Sequence, residues 1–394
     1  MNQQHNKKFS PINIKDKLKE MSSSGILRVR KPREGSNSAR IIFDNKEYLS
    51  FASNDYLGLS TDQRICSSMV NCLSEYGLGT GSSPLISGYT KSHMSLEKEI
   101  SDFLGQEKTI LFSTGYQANL GIIKSLVGRN ETIFSDKLNH ASIIDGAILS
   151  RAKHIRYQHL DLNDLDKCLH EYPDSKNRLV ITDALFSMDG DIAPLKDISH
   201  LQKRLDFIFL VDEAHTIGVS GKSGKGIVYN SSLNKNNNIC ITGTFGKAFG
   251  TFGAFFSGSE EIVNYVLQKS RSYIYSTSIP TAIVEATRKS LEIIKTESWR
   301  REKLSSLIYY FTNSCSKIGL NNLDSSSHIQ PIIIGDPNRT IEVSNLLLEK
   351  GIYSPAIRYP TVARDKSRLR ISLNCNHQKS DIDMLLIELE KIIK

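Results

Sequence analysis

One lysine stands in the stretch from Ile239 to Gly250, where an apolar β-branched run gives way to Thr242-Gly243-Thr244-Phe245-Gly246-Lys247. Lysines are mostly solvated, and a lysine among glycine, threonine and phenylalanine is set apart from that norm. Withdrawn from water, its ammonium loses a proton more readily, as a Schiff-base nucleophile requires. The glycines allow close approach of a ligand, and Thr242 and Thr244 carry hydroxyls that can reach a phosphate. Upstream, Phe207-Ile208-Phe209-Leu210-Val211 ends in Asp212, with His215 three residues on. Each feature alone has a plain alternative: Lys247 a solvated turn residue, Asp212 a helix N-cap. Together they supply what a pyridoxal phosphate site needs, an amine for the aldehyde and a carboxylate for the pyridine nitrogen.

Further stretches carry polar groups just beyond apolar runs. Phe112-Ser113-Thr114-Gly115-Tyr116-Gln117-Ala118-Asn119 reads as a strand, a turn of small residues and a helix start, which offers free N–H groups to a phosphate. Ser135 to Ser142 places His140 directly after a strand, where an imidazole could stack on a ring or serve structurally. Phe186-Ser187-Met188-Asp189-Gly190-Asp191 and Tyr275-Ser276-Thr277-Ser278 add hydroxyls that could equally be caps. Two glycine-rich loops are not nucleotide motifs. Gly77 to Tyr89 follows no strand and contains Pro84, and Thr216 occupies the position where Gly221-Lys222-Ser223 would need a glycine.

The elements that must hold these residues follow from periodicity. Short apolar runs at 109–112, 132–135, 154–157, 179–182, 207–211, 239–242 and 254–257 read as strands. Helical patterns at 117–126, 141–150, 161–171 and 194–205 lie between them. This rhythm predicts a mainly parallel seven-stranded sheet covered on both faces, with its ligand at the C-terminal strand ends. Residues 41–51 read as a hairpin turning at Asp44-Asn45, preceded by an amphipathic helix near 12–21 and a basic run from Arg28 to Arg33. After a helix at 260–269 and a break at Ile279-Pro280, one long helix is expected from 281 to 317. It leads to strands at 329–334 and 369–373 with a helix at 340–350. The expected division is an N-terminal arm and hairpin (1–52), a large domain (53–290) and a small C-terminal α/β domain (291–394).

At 394 residues, with 39% hydrophobic and 23% charged residues, the composition is that of an ordinary globular protein. The net charge of +8 suits anionic partners, but no compact basic block interleaved with aromatics points to nucleic acid. Six scattered cysteines lack ligand spacing, so no metal is expected, and they read as reduced thiols. Residues 1–8 lack an apolar segment and no run has the length of a membrane span, so no membrane association and a cytoplasmic location are expected.

Taken in order, these stretches resemble the α-oxoamine synthase family of fold-type I pyridoxal-phosphate enzymes, from Tyr48 to the C-terminal helix. Ser53-Asn54-Asp55-Tyr56-Leu57-Gly58-Leu59, Leu138-Asn139-His140-Ala141-Ser142, Phe186 to Asp191, Thr244-Phe245-Gly246-Lys247, Ala356 to Val362 and Arg368-Leu369-Arg370 carry the resemblance. It implies an aspartate aminotransferase-like fold with Lys247 bound to pyridoxal 5'-phosphate and Asp212 on the ring nitrogen. By the same resemblance His140 stacks on the ring, while His215 faces its phenolic oxygen with Ser187 nearby. Gly115, Tyr116 and Thr244 would hold the phosphate, with Thr277 from the second subunit of a homodimer. Asn54 and Arg370 would take an amino-acid carboxylate, and Arg28, Gly81 to Ser83 and Thr361 would lie along the acyl substrate. Departures from the family pattern fall on the acyl side, at Pro84-Leu85, Tyr359 and Arg364-Asp365-Lys366. The implied reaction is the decarboxylating condensation of L-alanine with pimeloyl-CoA or a pimeloyl-acyl carrier protein, as in biotin biosynthesis. Condensation of glycine with another acyl-CoA, use of a longer acyl donor, and a non-catalytic cofactor-binding regulator are the alternatives.

Overall fold

A computed structural model describes residues 13–24, 26–173, 177–323 and 325–393. The reading of residues 1–8 as lacking an export signal lies outside the described residues. The seven expected strands all form and lie in one sheet, in the spatial order 108–112, 254–258, 239–244, 208–212, 178–183, 132–136, 153–157. The pairings from 239–244 across to 153–157 are parallel, while 254–258 runs antiparallel to both of its neighbours.

Alternation along the strands explains why the sheet is covered on both faces, since successive side chains point to opposite sides. Ile110, Phe112, Ile133, Leu179, Ile181, Leu210, Cys240 and Phe256 pack in one cluster, with Ile122, Ile123 and Ala147 from helices Gly115–Leu126 and Ala141–Ser150. Leu111, Phe134, Val180, Phe209, Val211, Ile239, Ile241 and Phe255 join the opposite cluster, with Leu165 and Ile198 from helices Leu162–Glu171 and Leu195–Leu205. Each such large side chain contributes about 1.5–3 kcal/mol by leaving water. The sheet therefore makes a rigid platform, and its polar strand ends are free to serve a site.

The hairpin forms as expected, with Arg40–Phe43 against Lys46–Ser50 and both Asp44 and Asn45 at positive φ in the turn. It also takes Ile352–Tyr353 as a parallel third strand, so the N-terminal hairpin and the C-terminal region share a sheet. A third, antiparallel sheet orders Ile329–Gly335, Ser367–Ser372 and Ala356–Ile357. Two helices not foreseen, Gln63–Tyr76 and Lys91–Leu104, pack on Thr281–Thr296.

The single helix expected over 281–317 is two, Thr281–Thr296 and Ser298–Ile318. Glu297 leaves helical geometry (φ −105°, ψ 73°) with no proline or glycine to announce it. Its carboxylate accepts from Arg64 and Arg300, and Arg300 in turn donates to the Leu57 carbonyl (2.8 Å) and to Asp62 (3.0 Å). A guanidinium network centred on the buried Arg300 thus sets the break, and periodicity does not register it.

Candidate active site

Parallel strands end at one edge, and the candidate residues collect there. Gly115 follows strand 108–112, His140 follows 132–136, Ser187 follows 178–183, Asp212 closes 208–212, and Lys247 follows 239–244. A cavity of about 180 Å³ is lined by Gly115, Tyr116, Asn119, His140, Ser142, Asp183, Ser187, Asp212, Ala214, His215, Thr244 and Lys247.

Lys247 is set by its turn. Phe245 and Phe249, both fully buried with ring centroids 5.2 Å apart, anchor the chain on either side. The Gly250 N–H donates to the Lys247 carbonyl (2.8 Å). Gly250 has φ +65°, and a Cβ there would lie 2.3 Å from the Ser60 nitrogen, so only glycine closes this turn. Burial pulls the Lys247 amine down to about 8, against the opposing pull of Asp212 and Asp183, with Arg370 pushing the same way as burial.

Lys247 Nζ lies 2.9 Å from His215 Nε2, and His215 Nδ1 lies 2.7 Å from the Tyr56 hydroxyl. Burial, then Lys247 and Arg370, hold His215 well below the usual imidazole range, so it is neutral. The chain of contacts continues outward. Tyr56 Oη donates to Asn54 Oδ1 (3.0 Å), which also accepts from Arg370 Nη1 (3.1 Å). Arg370 Nε donates to the Ser187 carbonyl. Asn54 and Arg370 are thus joined to Lys247 through Tyr56 and His215.

Across the cavity, Asp212 accepts from the Ala214 N–H (2.9 Å) and from Asn119 Nδ2 (2.7 Å). Asp183 is buried and its carboxyl is pushed well up by burial and by Asp212, while it accepts the His140 N–H at 2.8 Å. At the far end Gly115 begins a helix capped by Thr114, whose hydroxyl accepts from the Gln117 N–H (3.2 Å). The nearest atom to a Cβ built on Gly115 is Thr244 Cβ at 3.9 Å, which leaves an open cradle between helix start and strand end.

Three expected residues lie elsewhere in this chain. Thr277 is exposed beside Ser113 in a separate small cavity, and Arg28 and Thr361 are exposed outside the main one. Gly81 to Ser83 pack on the 278 segment, where the Ser278 N–H donates to the Ser82 carbonyl (3.0 Å). Asn119, Ser142, Tyr56 and Asp183 join the site without a role expected from the sequence. The first three stood in stretches already marked, and Asp183 ends a strand at the same edge.

The site fits pyridoxal phosphate by its own features. An amine and a carboxylate face one cavity, a helix start and Thr244 frame an open cradle, and the buried Oδ1 of Asn119, a residue lining that cavity, has no partner.

The sequence model for "Aminotransferase class I and II" matches residues 46–389. The chain belongs to that family, and within it to the α-oxoamine synthases. The 8-amino-7-oxononanoate synthase of Nitrosococcus oceani is 40% identical over 376 residues, covering 95% of this chain and 100% of the relative. That of Hahella chejuensis is 42% identical over 366 residues, covering 93% and 92%. Among solved structures, serine palmitoyltransferase from S. paucimobilis with a bound PLP–myriocin aldimine has a TM-score of 0.90 at 29% identity, covering 97% and 96%. An 8-amino-7-oxononanoate synthase from Francisella tularensis has a TM-score of 0.77 at 32% identity, covering 87% and 97%. Pyridoxal 5'-phosphate is the cofactor of this fold and of this chain.

Proposed function

We propose that this chain condenses L-alanine with a pimeloyl thioester to give 8-amino-7-oxononanoate, carbon dioxide and free thiol, a step of biotin biosynthesis. The observation that carries the chemistry is Lys247 in a cavity with Asp212, joined through His215 and Tyr56 to the Asn54–Arg370 pair. The choice of substrates rests on the named relatives, which match the chain over nearly its whole length. Pyridoxal phosphate, when bound, supplies a carbonyl for the amino group and a ring that withdraws electrons from Cα.

The chain's residues do the rest. Arg370 offers its Nη2 donors to the amino-acid carboxylate, while Ser187, Asn54 and Ser372 hold the rest of the guanidinium in place. Lys247, whose ammonium burial makes easier to deprotonate, removes the Cα proton as general base. Asp212, held in place by the Asn119 amide and the Ala214 N–H, would pair with the ring nitrogen. Gly115, Tyr116 and Thr244 grip the phosphate at the helix start. After the Cα carbon has displaced the thiol and carbon dioxide has left, Lys247 returns the proton.

Thr277, exposed and outside its own chain's cavity, serves the site of a second subunit in a homodimer. The exposure of Leu78, Ile86 and Tyr275 on nearby loops supports that assembly. The acyl group, on coenzyme A or an acyl carrier protein, lies past Arg28 and Thr361. None of the helices among the described residues is long and apolar enough to cross a membrane, and we place the reaction in the cytoplasm.

Incubation with pyridoxal phosphate, L-alanine and pimeloyl-CoA, followed by mass spectrometry, tests the proposal. The expected product is 8-amino-7-oxononanoate with release of labelled carbon dioxide from carboxyl-labelled alanine. Turnover with glycine and none with alanine would contradict it.

A further inference from the structure

Two cavity residues outside the roles above, Asn119 and Ser142, are linked in one hydrogen-bond chain whose donors and acceptors can be assigned. Asn119 is 2% exposed and Ser142 is fully buried. Asn119 stands 2.7 Å from Asp212 Oδ2, which only accepts, so the amide nitrogen and not the oxygen must face it. The same Nδ2 reaches Ser142 Oγ at 2.9 Å, and spends its second hydrogen there. Ser142 Oγ, already an acceptor, is left to donate its own hydrogen, and the atom 2.7 Å away is His140 Nδ1. His140 caps the helix Ala141–Ser150, and the Ser142 backbone N–H also points at Nδ1, at 3.3 Å. A backbone N–H cannot accept. Two donors therefore converge on Nδ1, which must be unprotonated.

We propose that Asn119 and Ser142 are positioning residues that lock His140 in its Nε2–H tautomer and tie its ring to Asp212. The tautomer of a histidine is set by the hydrogen bond at its other nitrogen, and here that bond is supplied twice. With Nδ1 committed to the helix start, Nε2–H is the only nitrogen His140 can offer to the cavity, and it offers a donor. Desolvation lowers the His140 basicity, Lys247 lowers it further, and Asp212 opposes both, so the ring is neutral when it makes this offer. The functional weight of the chain rests on the reading that Asp212 and His140 flank the cofactor. The tautomer does not, because it follows from contacts within the protein.

The test is nitrogen-15 NMR of histidine-labelled protein at pH 7, with and without pyridoxal phosphate, the His140 signals being assigned by their loss in His140→Gln. The expected spectrum shows His140 protonated on Nε2 and bare on Nδ1 in both forms. Ser142→Ala removes one oxygen and one of the two donors, and should give a mixture of tautomers. Asn119→Ala should do the same, because the Ser142 hydroxyl is then free to turn. In the loaded enzyme both variants should keep the cofactor while kcat falls about tenfold, roughly 1.4 kcal/mol of barrier. Wild-type His140 protonated on Nδ1, or a tautomer unchanged in both variants, would overturn the proposal. If Asn119→Ala does not fold, Ser142→Ala decides alone. Loss of cofactor binding with the tautomer intact would instead count against the cofactor reading.

Discussion

Lys247 and Arg370 divide the work at the scale of single residues, one reacting and the other orienting. Because burial holds the Lys247 amine down to about 8, its reaction with a carbonyl should quicken as pH rises toward 8 and level off above it. A profile still climbing steeply at pH 10, read by stopped-flow absorbance, would mean that the amine is not desolvated. Arg370→Ala should raise KM for alanine about 10- to 100-fold, the cost of one charge-assisted contact, with a smaller change in kcat. Arg370→Lys should not restore it, since an ammonium cannot reproduce the fork held by Asn54 and Ser372. Asp212→Asn should retain the cofactor and lose about 100-fold in kcat, as a displaced preorganised charge would predict.

At the scale of elements, the site depends on loops that the strand ends leave free, and His159 ties two of them together. Its Nδ1 lies 2.9 Å from Asp136, at the start of the His140 loop, and its Nε2 lies 2.7 Å from Asp191, at the end of the Ser187 loop. Burial lowers the basicity of His159, but the two carboxylates outweigh it and push the ring up to about 10. A group raised in the folded state contributes stability that is complete below its ordinary pKa of 6.5 and is lost as pH rises through about 10. His159→Asn should cost about 3 kcal/mol at pH 7 by leaving two carboxylates without their cation, and the difference from wild type should shrink above pH 10. Chemical denaturation at pH 7 and pH 10.5 measures both, and an equal penalty at the two values would exclude the ion pairs as its source. Gly250→Ala should destabilise the protein by about 2–4 kcal/mol through its clash with Ser60 and displace Lys247 with it.

The seven strands and the placing of Lys247, Asp212, His215 and His140 at their ends were legible in sequence, because burial and alternation write directly into residue type. The helix break at Glu297 was not legible, since its carboxylate is held by Arg64, far off in sequence, and by Arg300, whose other partners Leu57 and Asp62 lie in that same distant part of the chain. The parallel addition of Ile352–Tyr353 to the hairpin was equally hidden. A two-residue strand carries no period, and its partner lies some 300 residues away. Asn119 escaped for a different reason. A buried amide reads as a neutral helix residue until the carboxylate beside it is known.

At the scale of the whole molecule, one chain assembles the cavity around Lys247 and leaves Thr277 outside it. In a homodimer with shared sites, mixing Lys247→Ala and Thr277→Ala chains should restore activity above either alone, because each hybrid contains one site with both residues intact. No recovery after subunit exchange would confine each site to a single chain. Every role proposed at this site depends on Lys247 being the residue that binds the cofactor. Borohydride reduction of the protein loaded with pyridoxal phosphate, followed by peptide mass mapping, tests that directly. The expected result is a pyridoxyl group on the peptide carrying Lys247, and none on the Lys247→Ala variant. A label on another lysine, or no label on the loaded wild-type protein, would contradict it.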